Sequence, residues 1–417
     1  MELKQYQDAF EMLKKGRQCD LSWLFRLREE GMAAFLQKGF PTVKDNAWRY
    51  TDVTAIREAA FVPEGESIQP ARLDRPLEGV EVLDIFVAIK TFPELLEKYL
   101  GRQAGHEGNP FTALNTGLFR SGTFIRISDG VILKEPIRIV HSASPARKAG
   151  AFQRRTIILM GKGSKASIVE TYVAGDGQNY FTNAVTEIVL EEGAQMEHCK
   201  IQQEAPEAFH IAMTQVAQRR GSSFVSFALS TGARLMRNDC RVALTEEGAS
   251  CELNGLYLGD KDQVLDHQTF VDHQKPDGKS DQFFKGLLAG NSRGVFRGHV
   301  MVRQDAQRTD AHQTNKNLLL SDTAKVDTQP QLEILADDVK CGHGSAIGQL
   351  QEDAVFYLRS RGIGEKEAAR MLAQGFAREV IERSSLSFMK ETLLELVSEK
   401  LGKQFNSLNG QWATGNE

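Results

Sequence analysis

Cysteine is scarce and scattered: five residues in 417, at Cys19, Cys199, Cys240, Cys251 and Cys341, with no C-x-x-C pair. An odd, widely spaced set excludes a disulfide framework or a self-contained zinc site, and predicts a reducing, cytoplasmic setting. Long apolar runs are also missing. No stretch approaches the ~18 residues of a membrane span, and the first thirty residues mix Lys4, Asp8, Glu11, Lys14 and Lys15 with apolar residues, so neither membrane insertion nor export is expected. Neither charge dominates: 51 Lys+Arg stand against 55 Asp+Glu, for a net charge of −4. A basic footprint for nucleic acid is therefore absent. With no Walker A sequence and no strand-linked G-x-G-x-x-G, the chain should bind neither ATP nor a dinucleotide by those routes.

What is present changes character along the chain. The first forty residues carry helical periodicity, with Phe10, Leu13, Leu21, Leu24, Phe25 and Leu27 spaced for one-sided burial, and predict two short helices. In G-F-P-T-V-K-D-N-A-W-R-Y-T-D, the aromatics Phe40, Trp48 and Tyr50 should pin the connection onto something larger. Residues 54–76 read as loop, and Val80 to Leu100 as a short strand followed by a helix with Pro93 in its first turn. From about 111 to 335, runs of Ile, Val, Phe and Thr alternate with Gly, Asp and Ser at steady intervals, the pattern of a β domain. L-E-E-G-A-Q-M-E at 190 recurs as T-E-E-G-A-S-C-E at 245, and Gly163, Gly193, Gly221 and Gly248 lie 30, 28 and 27 residues apart. Such a period points to a solenoid, with an antiparallel sandwich as the alternative. Helical spacing returns at Ala369, Leu372, Phe376 and Val380, and again at Met389, Leu393, Leu396 and Val397. The divisions expected are residues 1–105, 106–340 and 341–417. Helices before and after an open β-helix are expected at its ends, covering the edges.

Three groups carry candidate chemistry. In D-V-K-C-G-H-G, Cys341 and His343 are two apart on a strand, so thiol and imidazole share a face about 7 Å apart at the backbone. That is half a metal site, a nucleophilic pair, or a buried cysteine beside an ordinary histidine. In D-H-Q-T-F-V-D-H-Q, His267 and His273 face one way and Asp272 the other, giving either a zinc site or polar edge and interface positions. In Y-L-R-S-R-G-I, Tyr357, Arg359, Arg361, Gly362 and Ile363 form a basic corner: a helix end stopped by Gly362, or a docking point for another protein. Two basic pairs, Arg154-Arg155 and Arg219-Arg220, read as solvated rims. His198 and Cys199 should point to opposite faces, and Cys199, Cys240 and Cys251 should pack as small core residues.

The run D-T-Q-P-Q-L-E-I-L-A-D-D-V-K-C-G-H-G-S-A-I-G-Q-L at 327–350, followed by D-A-V-F-Y-L-R-S-R-G-I at 353–363, resembles the C-terminal signature of the SufB/SufD family of iron–sulfur cluster assembly proteins, its SufD branch most of all. G-F-P-T-x-K, H-x-T-x-x-x-H, K-G-L-L-A-G and N-x-N-L-L-L-S extend the resemblance over nearly the whole chain. It implies a mainly β fold, a right-handed parallel β-helix flanked by N-terminal and C-terminal α-helical domains. It also implies a non-catalytic scaffold that pairs with a SufB-like subunit through the β-helix, or with itself when that subunit is absent, and docks a SufC-like ATPase on its C-terminal helices through residues 357–363. A transient iron–sulfur cluster would form at the subunit interface with His343, and Cys341 beside it, among the ligands; a reduced flavin could join the complex. Carbohydrate-active and purely structural β-helix proteins are the alternatives; the former would need paired carboxylates on one face of successive coils.

Overall fold

The computed structural model describes residues 3–16, 21–59, 61–64, 77–143, 149–174 and 179–407. Two sheets face each other, one of ten strands and one of eight, and from Ser121–Ile127 to Val339–Gln349 the chain alternates between them, every strand pairing in parallel with the strand one coil earlier. The fold is a parallel β-solenoid of about seven turns. The antiparallel alternative fails except at the start, where Val80–Asp84 runs antiparallel to Ser121–Ile127. Residues 54–64 are more structured than expected, holding a helix at Thr54–Glu58 and a short strand, Val62–Pro63, that pairs with Gly150 and Ala151. The remainder of that predicted loop, and Cys19, lie outside the described residues.

The repeat read from glycine spacing is the coil turn. Gly163, Gly193, Gly221 and Gly248 all hold φ between +61° and +68°, a region that costs a residue with a Cβ about 1–2 kcal/mol. Each donates its N–H to the next coil's turn: Gly163 to Glu192, Gly193 to Arg220, Gly221 to Glu247 and Gly248 to Pro276. Asp277 and Arg308 continue the column at φ +61° and +59° without glycine, which is why the repeat fades beyond 248. Inside, equivalent positions of successive coils stack as one aliphatic ladder through Ile125, Ile158, Ile188, Val216, Val242, Val271, Val300 and Leu332.

The helices do not sit at the ends. Lys4–Gly16, Ser22–Lys38 and Pro110–Leu118 lay Tyr6, Phe10, Phe35 and Phe111 on the outer face of the first sheet, against Phe181, Phe209 and Ile211. Trp48 and the Arg237 guanidinium, 3.9 Å from its ring centroid, pin the aromatic connection to the same face. Glu365–Arg383 and Lys390–Ser407 cover the outer face of the second sheet, where Ala369, Ala373, Ala377 and Val380 meet Phe227, Leu256, Phe283 and Leu287. Middle strands are thus buried on both faces, and Tyr180–Leu190 is buried at every residue. Each large apolar side chain so covered contributes roughly 1.5–3 kcal/mol.

Double burial overturns the reading of Arg154 and Arg155 as a solvated rim. Successive strand residues point to opposite faces, and here neither face is solvent. Arg155 is fully buried under Pro110–Leu118, its Nη2 2.6 Å from Glu187 Oε2. Glu187 also accepts the backbone N–H groups of Gly101, Gln103 and Ala104 at 2.9–3.0 Å, so one carboxylate ties helix, sheet and loop together. Arg154, buried as well, donates to the Ser142 carbonyl. Arg219 and Arg220 are exposed as expected, paired across the turn with Glu246 and Glu247.

Glu187→Ala should lower unfolding free energy in urea by about 3–5 kcal/mol, the cost of stranding a buried arginine; a loss below 1 kcal/mol would contradict the contact. Burial also holds His141, His267 and His273 down near pKa 4, 3 and 4 against an ordinary 6.5. Between pH 6.5 and 4 the unfolded chain therefore binds more protons, so stability falls on acidification, by about 1.4 kcal/mol per pH unit for each such imidazole. The urea midpoint should drop from pH 7 to pH 5, whereas a flat profile would mean that these rings are not buried neutral.

Candidate functional site

Among the described residues, the last coil is the end at which neither sheet's terminal strand has a further partner; at the first coil Ser121–Ile127 is covered by Val80–Asp84, while Ile137–Ala143 is bonded on one side only. Val339–Gln349 ends one sheet and Lys325–Ile334 the other, each bonded only to the strand one coil before it. The solenoid therefore runs past the boundary expected at 340, and the following helix starts at Glu352. Because Glu365–Arg383 lies on a face rather than over the end, this rim stays open. Of the twelve exposed large hydrophobic residues among the described residues, six lie on it or in the helices that follow: Ile334, Leu335, Ile347, Phe356, Tyr357 and Met371.

Cys341 and His343 stand side by side on this last strand, facing the interior, as their spacing requires. Their registers differ in character. Cys341 pairs with Ala311 and ends a stack running back through Ser280, Cys251 and Phe224. It is half-buried against the core, and burial pushes its thiol pKa up, so the isolated chain presents a protonated thiol at neutral pH. His343 pairs with Gln313 and ends a more polar stack through Gln282, and it is exposed. Among the described residues no three His, Cys, Asp or Glu side chains converge closely enough to hold a metal ion. The pair is two donors without the remaining two that a tetrahedral thiolate–imidazole site takes. Among the described residues no carboxylate or amide bonds to the imidazole, which disfavours the nucleophilic reading.

His267 and His273 share a face, as their separation of six requires, but that face is the interior, which corrects their assignment to an edge or interface. His267 stacks on Tyr257 with ring centroids 5.2 Å apart, and His273 Nε2 lies 2.9 Å from Ser280 Oγ. Asp272 points the other way and takes both oxygens to Arg303, at 2.9 and 3.1 Å. The histidines look like edge residues in sequence only because the coil interior is partly polar.

The largest departure from expectation is that polar interior. Glu170 accepts from His141 Nε2 at 3.1 Å, His198 Nε2 at 3.2 Å and Tyr172 Oη at 2.7 Å. Glu204 accepts from Thr182 and Gln202, with His210 Nδ1 2.6 Å away and Lys200 on the strand that it follows. Both carboxyls stay ionised, held low by these donors against burial. Register contains the missed signal: Glu170 stacks on Lys200 and Ile168 on His198, so aligning the chain on its turn glycines superposes polar residues at inward positions. His198 and Cys199 do face opposite ways, and Cys199, Cys240 and Cys251 are buried.

The basic corner is a helix end. In Glu352–Ser360, the Ile363 N–H reaches the Leu358 carbonyl and the Gly362 N–H reaches that of Arg359, with Gly362 at φ +85°, a Schellman closure. Arg359 pairs with Glu365 at 3.3 Å and Arg361 lies 5.3 Å from the Tyr357 ring centroid. Between this helix and the last coil runs a groove lined by Leu319, Asp322, Leu350, Val355, Phe356 and Arg359. Phe356 is 71% and Tyr357 57% exposed, more than a helix closed on its own core requires.

No helix among the described residues is long and apolar enough to cross a membrane. Comparison with known proteins agrees with the architecture over most of its length. The family model described as "SUF system FeS cluster assembly, SufBD core domain" matches residues 142–376, and the SufBD N-terminal region model matches 59–139. The Escherichia coli iron–sulfur cluster assembly protein SufD is 29% identical, covering 89% of this chain and 92% of its own length. A Synechocystis SufBD family protein is 30% identical over 86% of this chain and 87% of its own, and the chloroplastic Arabidopsis thaliana protein ABCI7 is 30% identical over 86% and 82%. A core model spanning more than half of the sequence, on a parallel solenoid ending in an open coil that bears Cys341 and His343, makes this chain a member of the SufB/SufD family of SUF-system iron–sulfur cluster assembly proteins.

Proposed function

We propose that the chain is a cytoplasmic, non-catalytic scaffold subunit that pairs end to end, through its open last coil, with a SufB-like subunit, and that a transient iron–sulfur cluster is built across the join before transfer to apo-proteins. One observation carries this reading: an imidazole and a thiol stand exposed and half-exposed on the only solenoid end where both strands lack partners among the described residues, with half a ligand set between them. A second edge of the same kind would satisfy the backbone and could supply the missing thiolates. Iron would displace the Cys341 proton if that residue ligates. His343, already exposed, needs only to lose water.

The exposed Phe356 and Tyr357, beside the groove at Glu352–Ser360, are proposed to dock a SufC-like ATPase. That helix joins the solenoid end to Glu365–Arg383, so closure of two such ATPases on ATP would pull on the C-terminal helices of each paired subunit and shift the rim against its partner. A carbohydrate-active reading loses support because the inward carboxylates Glu170 and Glu204 are buried and saturated by donors.

His343→Ala should leave the three-protein complex intact on gel filtration and cut the visible absorption gained on anaerobic iron and sulfide loading at least tenfold. Normal cluster yield would refute the assignment. Cys341→Ser, in the same assay, should lower yield if the thiol ligates and leave it unchanged if the residue only ends its apolar stack. Phe356→Asp should abolish co-purification of the ATPase while the β-helix pairing persists.

A further inference from the structure

The interior of the solenoid holds a second group of chemistry that the open rim does not use. Lys200 points inward from Gln195–Gln203 and is 4% exposed. An ammonium has three donors, and leaving them dry is costly. Its hydrogen bond is to Asn238 Oδ1 at 3.3 Å, and its ammonium also lies 5.1 Å from the Tyr172 ring centroid. Glu170 and Glu204 are near enough to act on it electrostatically, but their oxygens are engaged by His141, His198, Tyr172, Thr182, Gln202 and His210. No ion pair joins either of them to the lysine.

Beside the lysine lies a small enclosed cavity of about 10 Å³, room for about one water-sized species. Its wall includes Lys200, His198, His267, Asn238, Thr214 and Cys240, and no aspartate or glutamate. His267 is 1% exposed, and its Nε2 has no hydrogen-bond partner. A buried cation with spare donors and an orphaned imidazole nitrogen therefore line one void from which carboxylates are excluded. A buried polar group without a partner costs about 1–3 kcal/mol, so the orphaned His267 Nε2, beside an ammonium with one side-chain hydrogen bond, points to a missing occupant.

We infer that this cavity is a binding site for a water-sized monoanion, of halide or hydrosulfide size, held by the Lys200 ammonium and the His267 imidazole in the centre of the solenoid. Such an ion needs donors, and the Lys200 ammonium, the Thr214 hydroxyl and His267 Nε2, in the tautomer that places the proton there, supply them. The site stands on the interior geometry alone and does not depend on the function proposed for the rim.

Bromide tests it directly. Crystals of the full chain grown in bromide without chloride should give one anomalous peak in the cavity between Lys200 Nζ and His267 Nε2. Lys200→Met should reduce its occupancy at least fivefold, and His267→Asn should weaken it. Anaerobic competition then names the occupant: displacement by equimolar hydrosulfide but not chloride identifies a sulfide site, and displacement by chloride a structural halide, both supporting the assignment. A cavity holding only water in the native protein overturns it, whether or not Lys200→Met folds. An anomalous peak of unchanged strength in Lys200→Met overturns it equally.

Discussion

A parallel β-stack satisfies the backbone of each coil with the next, so it cannot finish without leaving an edge. Most of what is distinctive here follows from where that edge falls and what is left off it. The starting end is half covered: Val80–Asp84 pairs antiparallel with Ser121–Ile127, while Ile137–Ala143 is bonded on one side only. The other end is left with Lys325–Ile334 and Val339–Gln349 unpaired on one side. Open edges invite association. Here the invitation coincides with the residues that carry metal-binding chemistry.

The helical layers explain why the rim can stay open while the body is rigid. By lying on the two broad faces they bury the outward side of the middle strands, through Phe181 and Phe209 on one face and Phe283 and Leu287 on the other. Lys285 is fastened beneath Glu365–Arg383 by the Phe376 carbonyl at 2.7 Å and by the Glu379 carboxylate, which Lys316 also engages at 3.1 Å. Movement of that helix is therefore coupled to the last coils. The inward side is not uniformly apolar: an aliphatic ladder along one sheet faces stacks that contain Glu170, Lys200 and His198, and His267 stands on the ladder's own sheet. Burial of His141, His267 and His273 in their neutral form ties the core's stability to pH.

Much of this is legible in the sequence, for definite reasons. Turn glycines must recur because the left-handed turn recurs, so Gly163, Gly193, Gly221 and Gly248 reveal the coil. Asp277 and Arg308 hide its continuation, since Asp277 tolerates that conformation and Arg308 is clamped by two 2.7 Å bonds to Asp277. The Cys341-His343 pair is visible because two-residue spacing fixes a shared face whatever the fold. What could not be read is which face is inside: Arg154, Arg155, His267 and His273 resemble surface residues by type and are core residues by position. The boundary expected at 340 fails for a related reason. Gly342, Gly344 and Gly348 look like a break, yet in the terminal strand glycine is tolerated because nothing packs across the open edge.

Amide hydrogen exchange on the full chain, with and without the SufB-like subunit proposed as its partner, tests the central claim that the open coil is the working surface. Exchange should slow across Val339–Gln349 and Lys325–Ile334 when the partner is added, while the interior strand Tyr180–Leu190 is unaffected. A complex that forms with exchange at both terminal strands unchanged would place the interface elsewhere and contradict the account.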